Sequence, residues 1–241
     1  MTSANIIGLP EDGRVVEISG YTLSVEDGMH PLDLEYAAAI AAHWEIERGA
    51  NPALFNGPVV LQRAITCRDG WISAVGHVSS FATFLWWRQR PMLAGASHVF
   101  GYPVIASSDG ALIAVRMAAH TANAGQVYFA AGSFDLADII DGRCDLIGNM
   151  HREVSEETGL DLSDAATDGR IFASYRMSKL ALLQIFRFEL TADEVLARIG
   201  RFIGSGHDEI DGAVAIFDPT PSAHRYNPAM LPILRWYFAA D

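Results

Sequence analysis

An α/β fold is the class this sequence predicts: an α/β/α sandwich around a mixed sheet, with an N-terminal α/β extension. Three observations predict it. Runs with the period-2 pattern of strands alternate with runs at the 3.6 period of helices. One strongly patterned helix sits between two groups of strands, and a late helix closes the chain, an order that layers helices on a sheet. At 241 residues, half of them hydrophobic and 19% charged, the chain is long enough to bury a substantial core. It contains no low-complexity tract and no internal repeat.

The elements follow in order. Val15–Ser19 and Tyr21–Val25, split by Gly20, read as short strands. Asp33 to Glu47 carries Leu34, Ala37, Ala38, Ala41 and Trp44 at helical spacing, and Gly49 with Pro52 ends it. Val59–Thr66 and Trp71–Val78 flank Asp69-Gly70, a hairpin signal. Ser80 caps a short helix through Trp87. Trp86-Trp87 beside Arg88 and Arg90 resembles a base-stacking platform, but the net charge favours core packing or an interface. Val104–Ser107 and Leu112–Met117 are strands joined at Asp109-Gly110, and Val127–Ala131 leads to Gly132. Asp145–Thr158 is the central helix. Ile171–Arg176 and Leu180–Leu190 are strands, and Thr191 caps a helix running from Glu194 to Ile203. A loop over Gly204–Asp211, a strand Ala213–Phe217 and a helix near Met230–Ala239 complete the chain.

The formal net charge of −12 argues against a nucleic acid or an anionic membrane as partner, because such binding comes mostly from Lys and Arg contacts to phosphate. An anionic substrate would be drawn in by local arginines or a metal rather than by the overall field. Lys179 is the only lysine. Cys67 and Cys144 lack a paired spacing and read as reduced thiols. The N-terminal Met-Thr-Ser-Ala-Asn-Ile-Ile-Gly has no basic segment followed by a long apolar one, and no apolar run approaches the roughly 20 residues of a spanning helix. A cytoplasmic location is expected.

Chemistry concentrates in Arg152-Glu153-Val154-Ser155-Glu156-Glu157-Thr158-Gly159-Leu160. On a helix, Glu153, Glu156 and Glu157 fall within an arc of roughly 100°. Like charges at this spacing repel, and a hard divalent cation taking carboxylate oxygens would offset the repulsion. Ile147, Met150 and Val154 supply a buried stripe beside them. A bland alternative is a solvated acidic face with an Arg152–Glu156 pair, ended by Gly159. A chance match to the whole pattern is on the order of one in 10⁴ to 10⁵.

This segment resembles the core of the Nudix box (Arg-Glu-apolar-x-Glu-Glu-x-Gly-apolar) of the Nudix hydrolases. The resemblance covers roughly residues 97–220; on this reading residues 1–96 form an accessory α/β region and 97–241 the Nudix domain. It implies an α/β/α sandwich and hydrolysis of a diphosphate linked to another group, with Mg²⁺ or Mn²⁺ as cofactor. Carried over residue by residue, Glu156 and Glu157 match the metal-binding pair, Glu153 a third ligand or base, and Arg152 a structural arginine that orients a glutamate. A further base in the family comes from a loop outside the helix. Glu209, in His207-Asp208-Glu209, is the candidate here, against a plain solvated loop. His120 is a candidate phosphate contact or a hydrogen-bonded loop histidine, and Arg116 and Arg176 are phosphate contacts or surface charges.

The sequence departs from the box upstream. Eight residues before Arg152, where the box has Glu, stands Cys144, and fourteen before, where it has Gly, stands Asp138. Gly132 best suits the opening glycine, which leaves about six extra residues in the loop. Asp145 is either the helix N-cap or an outer metal ligand, and a thiol at Cys144 is a poor Mg²⁺ ligand. Tyr175, where ADP-ribose-cleaving members carry Pro, disfavours that subgroup. Phe55-Asn56-Gly57, the insertion before the helix and the Thr-led helix running to Gly-x-Gly-His-Asp-Glu resemble the layout of UDP-glucose-hydrolysing members. The expected partner is thus a small nucleoside diphosphate derivative, a nucleotide sugar such as UDP-glucose first among them. A homodimer through Trp86, Trp87 and Trp236 is a further expectation. The competing reading is a nucleotide-binding sensor without turnover, motivated by Cys144.

Overall fold

Runs rich in Val, Ile, Leu and Thr fold into two sheets rather than one; the computed structural model describes residues 8–90, 93–206 and 209–239. The larger sheet runs β1 (Val15–Ile18), β10 (Ile171–Arg176), β11 (Lys179–Arg187), β5 (His98–Ala106), β6 (Leu112–Met117) and β12 (Ile210–Ile216), with β7 (Val127–Tyr128) also paired to β6. Strands β11 and β5 are parallel from Lys179↔His98 to Arg187↔Ala106, and the other pairs are antiparallel, so the sheet is mixed. β5 is buried along its whole length and β11 nearly so, as central strands covered on both faces must be.

The smaller sheet runs β3 (Pro58–Arg68), β4 (Trp71–Ser80), β2 (Gly20–Glu26), β9 (Arg143–Cys144) and β8 (Ile139–Ile140). Neither sheet is drawn from one contiguous stretch. β1 edges the larger sheet, whereas β2, one residue later, pairs in parallel with β4 in the smaller. The β8–β9 hairpin, from the insertion ahead of the central helix, extends the smaller sheet through β2.

Helix α4 (Leu146–Thr158) lies over β5, and α5 (Ala192–Ile203) packs beside it over β6 and β12. A side chain at Gly101 would press on Leu146 and Met150, so glycine lets α4 approach the sheet closely. Gly101 is in register with Leu182, and Leu182 with Ala173; Phe172, the next residue, therefore faces the other way. On that opposite face α6 (Met230–Phe238) sets Trp236 4.7 Å from Phe172, ring to ring. The larger sheet is the filling of an α/β/α sandwich.

Three further helices, α1 (Pro31–Glu35), α2 (Ala37–Ala50) and α3 (Phe81–Arg88), serve the smaller sheet. The single helix expected over 33–47 is two, because His30 with Pro31 starts α1 early and Tyr36, at φ −117° and ψ 20°, breaks the run. Trp86 and Trp87 are core residues, packed with Leu32, Ile40 and Ala82. The strand expected over 127–131 stops at Tyr128. Buried Gln62 ties the two sheets: its backbone exchanges both hydrogen bonds with Ser97, and its Oε1 accepts from Val99 N at 2.9 Å. Among the described residues, no helix is long and apolar enough to cross a membrane.

Candidate active site

The helix carrying the carboxylates is fixed at both ends. Asp145 is the N-cap, accepting from Gly148 N at 3.0 Å. Gly159 ends the helix in the left-handed region at φ 68°. The buried stripe is Leu146, Met150 and Val154; Ile147, expected on it, is only half-buried and packs at the edge of the core.

Glu153 and Glu157, one turn apart, line a cleft of about 430 Å³. Glu209, from the loop before β12, and His120 line the same cleft; His207 and Asp208 lie outside the described residues, as do residues 1–7. Glu157 is 4% exposed, and its Oε2 has no hydrogen-bond partner in the structure. Burial, then the neighbouring Glu153 and Glu209, push its carboxyl well above the usual range, against a hydrogen bond from the Ala131 backbone. Burial likewise raises Glu153 to about 7, opposed by Arg152 and reinforced by Glu156 and Glu209. A side chain at Gly132 would overlap the Glu153 carboxylate, so a larger residue there would displace the box's own glutamate. The fold is a mixed-sheet α/β/α sandwich.

Comparison with known proteins adds little beyond that. No protein-family description matches the chain, and no curated protein matches it. Similar solved structures include a Nudix hydrolase from Nitrosomonas europaea, with 18% identity and a TM-score of 0.38 over 60% of this chain and 89% of that one. A Nudix hydrolase from M. smegmatis has 11% identity and a TM-score of 0.39 over 60% and 86%. A Bacillus subtilis pyrophosphohydrolase has 15% and 0.32 over 60% and 81%. At such values the likeness concerns the chain path alone.

The remaining box residues are arranged around Arg152. Its Nη1 donates to Glu156 at 3.0 Å, and Nη2 lies 2.8 Å from Glu153 Oε1. Glu156 is mostly exposed and does not line the cleft, unlike Glu153 and Glu157. Among the described residues no three His, Cys, Asp or Glu side chains are gathered closely enough to cage an ion as they stand. The donor set nevertheless suits a hard cation: oxygen ligands, an orphaned buried carboxylate oxygen, and mutual repulsion that a positive charge would relieve.

Sequence reasoning missed Asp138. Buried in a 3-10 turn (Leu136–Asp138), it takes the Arg152 guanidinium at 2.9 Å and also accepts from Asn149 Nδ2 at 3.1 Å. A carboxylate partner for Arg152 is thus supplied from fourteen residues upstream. Cys144 is buried, and its thiol is pushed up to about 12 by burial and then by Asp138. The signal that could have found Asp138 is Asp141-Gly142, whose φ values of 49° and 71° turn the β8–β9 hairpin. That turn accommodates the extra loop residues and returns the chain to the helix. Arg116 is ion-paired with Asp211 at 2.5 Å and does not line the cleft. Arg176 lines an adjoining chamber rather than the carboxylate cleft.

Proposed function

We propose that this protein hydrolyses a diphosphate bond in a nucleoside diphosphate linked to another moiety, with Mg²⁺ or Mn²⁺ held by Glu153 and Glu157. The observation that carries the reading is the buried Glu157 carboxylate, its Oε2 without a hydrogen-bond partner, beside Glu153 and Glu209 at a cleft of nucleotide-binding size. When bound, a divalent cation neutralises phosphate charge and eases deprotonation of water. Glu209 is assigned the proton of the attacking water; its position on the wall of the cleft with the two helix glutamates supports this reading. Arg152, held by Asp138, fixes the Glu153 rotamer and draws Glu156 to the outer edge of the metal site. His120 contacts the phosphates from the opposite loop. The linked moiety we assign first is a sugar, on the Phe55-Asn56-Gly57 layout, and Phe55 lines the cleft.

One observation favours a second reading, a nucleotide sensor without turnover: Glu156 is turned onto Arg152, and no ready three-carboxylate cage is present among the described residues. A panel of nucleoside diphosphate derivatives, assayed with Mg²⁺ and with Mn²⁺, separates the two. Cleavage that disappears in Glu153→Gln and Glu157→Gln supports the hydrolase. Binding without cleavage under either metal supports the sensor.

A further inference from the structure

Beyond the carboxylates the cleft opens into a second chamber of about 580 Å³, which shares Phe100, Asn123, Arg88 and Lys179 with the first. Its described lining carries Arg88, Arg176 and Lys179 and no Asp or Glu. In a chain with 17 basic and 29 acidic residues, three cations around one acid-free hollow run against the composition. None of the three makes an ion pair among the described residues.

The local fold forces the charges together. Arg176 and Lys179 face each other across the β10–β11 hairpin, turned by Met177 and Ser178 at φ 50° and 59°. Like charges directly opposite one another destabilise a hairpin. Arg88, at the end of α3, comes from the other side and donates to neutral partners, Asn123 Oδ1 at 3.3 Å and the Ala122 carbonyl at 3.4 Å. Glu47 acts on Arg88 electrostatically, yet it is engaged by His43 at 3.2 Å and Gln89 at 3.0 Å. Arg88 and Lys179 line both chambers, and burial, then Arg88, hold the Lys179 ammonium below its ordinary value. Among the described residues, no Asp or Glu lines the hollow to balance the charge.

We infer that this chamber is an anion subsite, binding a phosphate or carboxylate on the part of the substrate that is not attacked. The word substrate rests on the hydrolase reading; the anion site itself does not. Arg and Lys together suit such a group, Arg through its fork of donors and Lys as a point charge. An acidic chamber completed by a cation and a basic chamber completed by an anion also orient a substrate with its diphosphate at Glu157 and its second charge at Lys179. Among linked moieties, those bearing a negative charge are preferred over neutral ones.

Two measurements test this. Titration of the metal-free protein with inorganic phosphate reads the chamber without turnover. Binding weakened about tenfold or more in Lys179→Gln and Arg176→Gln, and unchanged in Glu157→Gln, supports the subsite. No binding, or equal binding in all these proteins, overturns it. Turnover of two matched pairs then identifies the group: coenzyme A against its 3′-dephospho form for phosphate, and UDP-glucuronate against UDP-glucose for carboxylate. A preference of about tenfold in kcat/KM for the charged member of either pair, abolished by Lys179→Gln, supports the inference. Indifference in both pairs overturns its substrate role. Should nothing be cleaved while the phosphate titration behaves as expected, the hydrolase reading falls and the anion site stands.

Discussion

Asp138 grips the Arg152 guanidinium through both Nε and Nη2, at 2.9 to 3.3 Å, from a 3-10 turn fourteen residues earlier in the chain. A bidentate pair with a buried carboxylate fixes the plane of the arginine, and the arginine in turn fixes Glu153 and Glu156. Asp138→Asn is expected to lower kcat by about tenfold or more, the usual effect of losing an outer partner of a metal site. Stability should fall by about 2 kcal/mol, less than for a fully buried pair because Arg152 retains Glu156 and partial access to water. Urea denaturation and steady-state assay measure both. Wild-type values for each would show that Asp138 is a bystander.

Glu157→Gln should abolish turnover, by at least about 100-fold, yet make the metal-free protein more stable. The raised carboxyl pKa gives the sign. Relative to the unfolded chain the charged form is disfavoured in the fold, so stability is lost as pH rises from the ordinary carboxylate range through the raised value. The gain in Tm of the Gln variant should therefore grow with pH, and added Mn²⁺ should stabilise only the wild type. A Gln variant less stable than wild type at about pH 8 without metal would contradict the account.

Cys144→Ala should change turnover by less than about tenfold, or roughly 1.4 kcal/mol of barrier. The buried thiol, pushed up to about 12, should also resist alkylation by iodoacetamide at about pH 8 in the folded protein. Rapid labelling coupled to loss of activity would assign Cys144 a role in the site.

Acid should draw a destabilising contribution from two buried histidines before carboxylates in the ordinary range titrate. His98 is held down to about 3 by burial, then by Lys179 and Arg88, and His30 to about 4, chiefly by burial. Above the unfolded histidine value, near 6.5, neither contributes a pH dependence. As pH falls below it the unfolded chain takes up protons that the fold does not, and stability drops toward about pH 4. Glu153 and Glu157 act in the opposite sense over this range, so the comparison is between proteins: from about pH 8 to 4 the slope of denaturant midpoints in His98→Asn should differ from wild type by close to one proton. An unchanged slope would mean His98 is protonated in the fold.

Much of this was legible in the sequence because the signals were local. The Thr191 and Ser80 caps, the Asp69-Gly70 turn and the left-handed Gly159 each depend on residues within a turn of one another. The box pattern placed three glutamates near one face of α4, and Glu209 joins two of them at the cleft. What stayed hidden is long-range pairing. Nothing near Gly20 says that the strands on its two sides enter different sheets, and nothing near Arg152 names Asp138 as its partner. Arg88 and Lys179 lie about ninety residues apart and meet only because α3 and the β10–β11 hairpin close on the same hollow.

The β8–β9 hairpin has one further consequence. It hangs from the first ninety residues through Ser24↔Arg143 and the Val25 N to Gly142 carbonyl bond, and it passes that support on when Asp145 N binds the Asp138 carbonyl. The leading segment is therefore a buttress for the arginine clamp, and cutting it away would leave a shortened protein whose helix is intact but whose clamp has nothing to lean on.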